Sequence, residues 1–290
     1  MATEIQINEA SLEEIAKQVG DLPPLPAAAL EAMRRLDDPN VTAERLQEAI
    51  ARDQALAAQV LRIANSAMFC FQRKVSSLSH AVAILGFNAL RSILIAASVQ
   101  KVFYAGPGSR GTAALRPLWK HAWGAAVAAR AIAQRTGYGN ADEAFTSGLV
   151  HDLGKLVLLR NDPHAYGEII SSVELGGGNF YDLEMRVFGF SHAHVGALLA
   201  LKWLFPAQLV AGILHHHDDD PAPEYAKLTS ITHLANRMMV FLGVGFEKDG
   251  TIRLADETSA QSLDLDAAQL EDLTAAARKM IASVPSDRRP

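Results

Sequence analysis

The residues best suited to chemistry in this chain are histidines gathered around one adjacent pair, His151-Asp152. The pair lies in Gly148-Leu149-Val150-His151-Asp152-Leu153-Gly154-Lys155, where a neutral nitrogen and an anionic oxygen can meet one metal ion. His121 lies upstream, His192 and His194 downstream, and His215, His216 and His217 end a further apolar stretch. Imidazole nitrogens with a carboxylate suit a borderline divalent metal such as iron, manganese, nickel or zinc. A metal so held could activate water against a phosphate ester. Taken singly, each histidine fits a hydrogen-bonded core position or a surface position as well as it fits a ligand position. Taken together with the His-Asp pair, they point to a metal pocket or to the frame of a former one. Lys155 reads either as a contact for a phosphate oxygen or as a cation near a helix end. Helical spacing separates His192 from His194. His192 and Gly196 share a face, so the glycine lets another helix or a ligand approach there. His194 points roughly 200° away from His192 and is expected to be exposed. Asp218-Asp219-Asp220 reads as a solvated loop ended by Pro221.

Positioning such residues requires helices, and the pattern supplies them. Leu22-Pro23-Pro24-Leu25-Pro26 is an extended entry, since its prolines can precede a helix but not sit inside one. Ala27 to Leu36 follows as a helix. Thr42 and Asp53 are N-cap candidates for the next two, the second with an apolar face of Leu56, Val60, Ile63 and Ala64. Leu78, Ala81, Val82 and Leu85 repeat at helical spacing up to a stop at Gly86, and Asn88 opens another helix. Gly106-Pro107-Gly108-Ser109-Arg110-Gly111 marks a loop, taken as the subdomain boundary. Beyond it, helices are expected over 117–136, 141–149, 181–187, 192–204, 207–215 and 228–242. The final stretch, 246–290, reads as polar with one helix over 266–283. No period-2 strand pattern and no internal repeat emerges, so the chain reads as all-α.

Composition narrows the function classes. The 290 residues are 49% hydrophobic and 20% charged, as in ordinary globular proteins. A net charge of −5 argues against a non-specific nucleic-acid binder. Arg73-Lys74 reads as a solvated turn. The single cysteine, Cys70, excludes an internal disulfide, reads as buried packing, and suits a reducing cytoplasm. The start Met1-Ala2-Thr3-Glu4 lacks a basic, hydrophobic leader, and Ile93 to Val99, the longest apolar run, is too short for a span, so no membrane is expected.

The motifs resemble a known family. Leu22-Pro23-Pro24-Leu25-Pro26, then Val60-Leu61-Arg62-Ile63-Ala64-Asn65-Ser66-Ala67, then Ser76-Ser77-Leu78-Ser79-His80-Ala81-Val82-Ala83-Ile84-Leu85-Gly86 resemble the HDOD family (HD-related output domain). The resemblance covers roughly residues 15–245. The second half also resembles the wider HD superfamily of metal-dependent phosphohydrolases, and its His-Asp-x-Gly-Lys string resembles that of HD-GYP cyclic-di-GMP phosphodiesterases. The resemblance implies an all-helical HD-like bundle (112–245) packed against an N-terminal helical subdomain (1–105), followed by the C-terminal segment (246–290). It also implies a bacterial regulatory protein of a kind that accompanies signalling modules and has often lost parts of the metal site. On this basis His121, His151, Asp152, His192, His216 and His217 would hold a divalent metal, and Lys155 would contact phosphate. His215-His216 is the alternative register for the paired histidines. Two departures stand out. The expected Gly-Tyr-Pro is replaced by Asp218-Asp219-Asp220-Pro221-Ala222-Pro223, and Asn236 stands where many HD proteins have aspartate. The resulting expectation is a cytoplasmic signalling protein that works by binding a regulatory protein or a ligand, with no residue assigned as catalytic. The alternative is a phosphohydrolase of nucleotides or cyclic dinucleotides, and a third reading is a nucleotide sensor that does not cleave.

Overall fold

The computed structural model describes residues 15–19, 22–65, 75, 77–104, 112–218 and 223–282. Cys70, Arg73-Lys74 and Asp219-Asp220-Pro221-Ala222 lie outside them, as does most of the segment from Ser66 to Ser76. Among the described residues there is no strand, and the all-α expectation holds.

The chain divides into two compact units, Pro24–Ala105 with the last residues from Ala282, and Gly106–Ile281 with the first residues to Pro23. In the first unit, residues 24–26 carry no regular structure and α1 (Ala27–Leu36) follows. Next comes α2 (Ala43–Ala51), capped by the Thr42 hydroxyl, and then α3 (Gln54–Ala64), capped by the Asp53 carboxylate. Each cap satisfies a backbone N–H that the first turn leaves unpaired. The side chain of Asn65 ends α3 by bonding Leu61 O and both the N–H and C=O of Val75. The stretch Leu78–Tyr104, here α4, is helical on both sides of Gly86, whose φ of 77° and ψ of 174° break it. The expected stop at Gly86 is therefore present as a sharp kink, in a backbone region that glycine reaches without the Cβ penalty. The core of this unit is Leu46, Ile50, Leu56, Leu90, Ile93 and Leu94.

One sequence expectation needs correction. Leu78–Lys101 is long and apolar enough to cross a membrane by length and composition alone. Counting uninterrupted apolar residues missed it, because small polar residues such as Ser92 and Ser98 are tolerated in a helix that folds their hydroxyls onto its own carbonyls. In this structure the helix packs against α1, α2 and α3.

The second unit holds the candidate site. It runs through α5 (Thr112–Arg135), α6 (Ala141–Val150), α7 (Leu153–Asn161), α8 (Pro163–Glu174), α9 (Phe180–Phe188), α10 (His192–Lys202), α11 (Ala207–Leu214) and α12 (Ala226–Phe241). It closes with α13 (Thr258–Ser262) and α14 (Ala267–Ala282). Asn140, Asp162 and Asn179 cap α6, α8 and α9 with their side chains. The pair α5–α6 forms one wall, α7–α10 another, and α12 packs on α5, α6 and α11. Helices α7 and α8 had no counterpart in the sequence reading. The first is buried along nearly its whole length, from Leu153 to Leu159, so it carries no polar–apolar periodicity to read. The C-terminal stretch holds two helices where one was expected, and buries Ile252, Leu254, Leu263, Leu265 and Leu270.

Candidate metal centre

Helix ends and helix faces converge on Asp152. His151 closes α6 and Asp152 opens α7, so the junction between two helices projects both side chains to one point. His192 is the first residue of α10, while His216 and His217 follow the end of α11. His121 projects from the middle of α5. Helices α7 and α10 come together where Gly154 faces the His192 backbone: a Cβ on Gly154 would lie 1.9 Å from His192 O. The Gly196 face is filled from two sides, its Cβ position lying 2.8 Å from Ile213 Cγ2 of α11 and 3.3 Å from Gly154 N. The glycine read as admitting a helix or a ligand admits a helix.

The distances describe two groups sharing one carboxylate. Asp152 Oδ2 lies 3.5 Å from His121 Nε2 and 3.4 Å from His151 Nε2. Asp152 Oδ1 lies 3.2 Å from His192 Nε2 and 3.7 Å from His216 Nε2. His217 Nε2 completes the second group at 2.9 Å from His192 Nε2, which is itself 3.2 Å from His216 Nε2. His121, His151 and Asp152 thus form one potential ligand set, and His192, His216 and His217 another. His151, His192 and His216 are fully buried.

The outward nitrogens fix which atom each ring offers. Nδ1 of His121, His151 and His216 donates to the carbonyls of Val244, Gly148 and Ile213 at 2.8, 2.7 and 2.6 Å. A carbonyl only accepts, so the neutral ring carries its proton there and leaves Nε2 as a lone pair aimed at the cluster. His192 Nδ1 donates instead to Glu184 Oε2 at 2.6 Å, and the same oxygen accepts the His192 backbone N–H. Tyr166 donates its hydroxyl to the other Glu184 oxygen at 2.7 Å. Metal-ligating histidines are commonly backed in this way by a carbonyl or a carboxylate.

Electrostatics agree with this inventory. Burial pushes His151 down to about 4, against the pull of Asp152. Burial and the neighbouring imidazoles hold His216 and His217 well below the ordinary range. Burial alone would lower His192, but Glu184 and the contact with Asp152 together outweigh it and the group is raised. Burial would raise Asp152, but His151 and Lys155 outweigh it and hold the carboxyl well below its usual range. Two buried atoms, His151 Nε2 and Asp152 Oδ1, make no hydrogen bond. His217 Nε2 can donate to His192 Nε2 at 2.9 Å, but the His192 and His216 rings both carry Nδ1–H, so their facing Nε2 lone pairs at 3.2 Å need positive charge between them. A proton on His192 or a metal cation supplies it. Nitrogen donors around a shared carboxylate, with unpaired buried acceptors, fit a borderline divalent metal.

The remaining residues sort plainly. His216 and His217 join the cluster, whereas His215 turns away to bond Asp218 at 2.7 Å. Lys155 Nζ sits on Asp152 Oδ2 at 2.8 Å and 4.4 Å from the centre of the Phe180 ring. His194, expected to be exposed, is half-buried and accepts the Ser191 N–H through Nδ1 as part of the α10 capping box. Asn236 Oδ1 lies 3.0 Å from His121 Nε2. The sequence reading missed Glu184, Tyr166 and the link behind His216, where His233 bonds His216 O at 3.0 Å and Glu257 at 3.2 Å. Glu184 left one signal: it shares a helical face with Phe180, a carboxylate on an otherwise apolar stripe.

This architecture is shared with known proteins. An uncharacterised protein of Treponema pallidum (strain Nichols) is 28% identical over 242 residues, 82% of this chain and 46% of that protein. The chain therefore spans about half the length of that curated relative. A crystal structure of an HDOD domain protein of unknown function from Geobacter sulfurreducens matches with TM-score 0.80 and 27% identity, covering 95% of this chain and 96% of that one. A protein from Shewanella amazonensis SB2B, named as a candidate phosphohydrolase, matches with TM-score 0.71 and 28% identity over 93% and 94% of the two chains. The HDOD domain matches residues 22–219, and the chain belongs to the HDOD family.

Proposed function

We propose that this protein is a bacterial signalling component whose helical bundle holds a divalent metal centre and uses it to bind a phosphate-bearing ligand, nucleotides being the foremost class. One observation carries the reading: four imidazole nitrogens converge on the two oxygens of Asp152, each ring set from outside, and His217 joins them through His192. His121, His151, Asp152, His192, His216 and His217 would hold the metal. Bound there, iron, manganese, nickel or zinc would polarise a phosphoryl oxygen and lower the pKa of water. The chain's own residues orient the site. Glu184 and the carbonyls of Val244, Gly148 and Ile213 hold the rings, and the α7–α10 contact seals one side. Binding is preferred over turnover because Lys155 is already engaged by Asp152 and Asn236 supplies a neutral amide in place of a carboxylate. In the cell the domain would act in the cytoplasm, passing the ligand-bound state to a regulatory protein, with no role for nucleic acid or membrane.

The phosphohydrolase alternative is kept for one observation, the full complement of histidines around Asp152. Elemental analysis of purified protein beside the His151→Ala, Asp152→Ala double variant tests the centre. The expected result is stoichiometric metal that disappears in the variant. No metal in either protein would make the cluster a purely structural network. Metal-dependent cleavage of a cyclic dinucleotide, abolished in the variant, would move the assignment to the enzyme.

A further inference from the structure

The two groups that share Asp152 are not equivalent. Its Oδ2, which faces His121 and His151, is held by the Lys155 ammonium at 2.8 Å. Its Oδ1, which faces His192 at 3.2 Å and His216 at 3.7 Å, has no ammonium on it. Behind His192 stands a second carboxylate, Glu184, fully buried and 2.6 Å from Nδ1. A carboxylate on the far nitrogen raises the basicity of a ligating imidazole. Behind His121 stands only the Val244 carbonyl, and beside its Nε2 lies the Asn236 amide at 3.0 Å. Since His121 Nδ1 carries the ring proton, Nε2 is the lone pair, and the Asn236 Oδ1 turned toward it is a neutral oxygen that attracts a cation less than a carboxylate would. One group therefore offers three imidazoles, a carboxylate oxygen with no ammonium on it and a supporting anion. The other offers two imidazoles, a carboxylate oxygen shared with an ammonium, and a neutral amide.

Resting on the metal-centre reading above, we propose that the two halves load unequally: the His192–His216–His217 half, keyed by Glu184, takes metal first and tightly, and the His121–His151 half takes it second and weakly. Asn236 and Lys155 make the second half a low-affinity position whose filling tracks metal concentration or the arrival of an anionic ligand. Coulomb attraction in a buried site is large enough for one added or removed unit charge to decide the order.

The test titrates chelator-stripped full-length protein with Co²⁺ alone, following absorption and the metal bound per chain. Two steps are expected, the first at least about tenfold tighter than the second. Glu184→Gln should weaken the first step by roughly tenfold or more and leave the second in place. Asn236→Asp should tighten the second step by about tenfold and leave the first unchanged, since affinity follows ligand charge. Circular dichroism checks that each variant folds, and because Asn236→Asp adds a ligand without opening a cavity, it keeps the test decisive should Glu184→Gln unfold. Two equal steps, or an Asn236→Asp effect on the first step, would overturn the unequal-halves inference while leaving the metal centre standing. Absence of any binding would overturn the metal centre and this inference with it.

Discussion

At His151 the burial that makes the ring a lone-pair donor also makes it a liability in acid. The unfolded chain takes up a proton on this residue near its ordinary pKa of 6.5, whereas the folded, metal-free site holds out to about 4. Between those values the unfolded state binds more protons, so stability falls as pH falls, by about 3 kcal/mol for this group. His216 and His217, also lowered, act in the same direction. His192 acts in the opposite one: its folded pKa is raised, so its contribution is present below the unfolded value and lost as pH rises through the folded one. That loss falls above pH 6.5, so below it the lowered imidazoles act unopposed by His192. The urea midpoint of chelator-treated protein is expected to drop between pH 6.5 and 4.5, and a midpoint that stays level or climbs over that range would refute the assignment. The residues behind this behaviour were unevenly legible. His151-Asp152 is visible because chemistry and sequence adjacency coincide there. Glu184 was not, since its role exists only once the start of α10 is laid against α9. His216 could be separated from His215 only by the family's spacing, and the geometry of the turn after α11 gives the physical reason: one ring points in to Asp152 and the other out to Asp218.

Helices were read well wherever one face is wet, and poorly where none is. Helix α3 shows its apolar stripe, its Asp53 cap and its Asn65 end directly in the sequence. Helix α7 shows neither, because it is wrapped by its neighbours, and its position depends on Gly154 meeting the backbone of α10. That contact yields a paired prediction using one substitution at two places. Gly154→Ala sets a Cβ 1.9 Å from His192 O, a backbone atom that cannot swing aside, so α7 and α10 must separate. Overpacking of this kind costs about 1–3 kcal/mol and exceeds the gain in helix propensity of about 1 kcal/mol. Gly167→Ala, inside α8 with nothing within 4 Å of the new methyl, keeps only the propensity gain. Urea unfolding should therefore move the two midpoints in opposite directions, and Gly154→Ala should also lower metal content by displacing His192. Equal midpoints for the two variants would mean that α7 and α10 do not meet in so tight a register.

Across the whole molecule, every proposed ligand comes from one of the two compact units, Gly106–Ile281 with the residues up to Pro23. The other, Pro24–Ala105, has a core of its own built on Leu46, Ile50, Leu56, Leu90 and Ile93. A ligand that binds only the native state stabilises it by about 2.7 kcal/mol at a hundredfold excess over Kd. That free energy enters through the helices that carry the donors: α5, the α6–α7 junction, the start of α10 and the turn after α11. Amide hydrogen exchange reads it helix by helix, since local opening reports the stability of each cooperative block separately. Adding metal to the stripped protein is expected to slow exchange across those four regions and across α9, which carries Glu184. Amides in α2, α3 and the part of α4 beyond Gly86 should exchange as before. The same experiment on His192→Ala should show no metal-dependent slowing in α9 or α10. Should α2, α3 and α4 gain protection equal to that of α10, the two units would have to open as a single cooperative block, and metal binding would then be felt throughout the chain. The division into separate cores argues for the confined response, and a confined response is what would let the N-terminal helices meet a partner on terms the metal centre does not set.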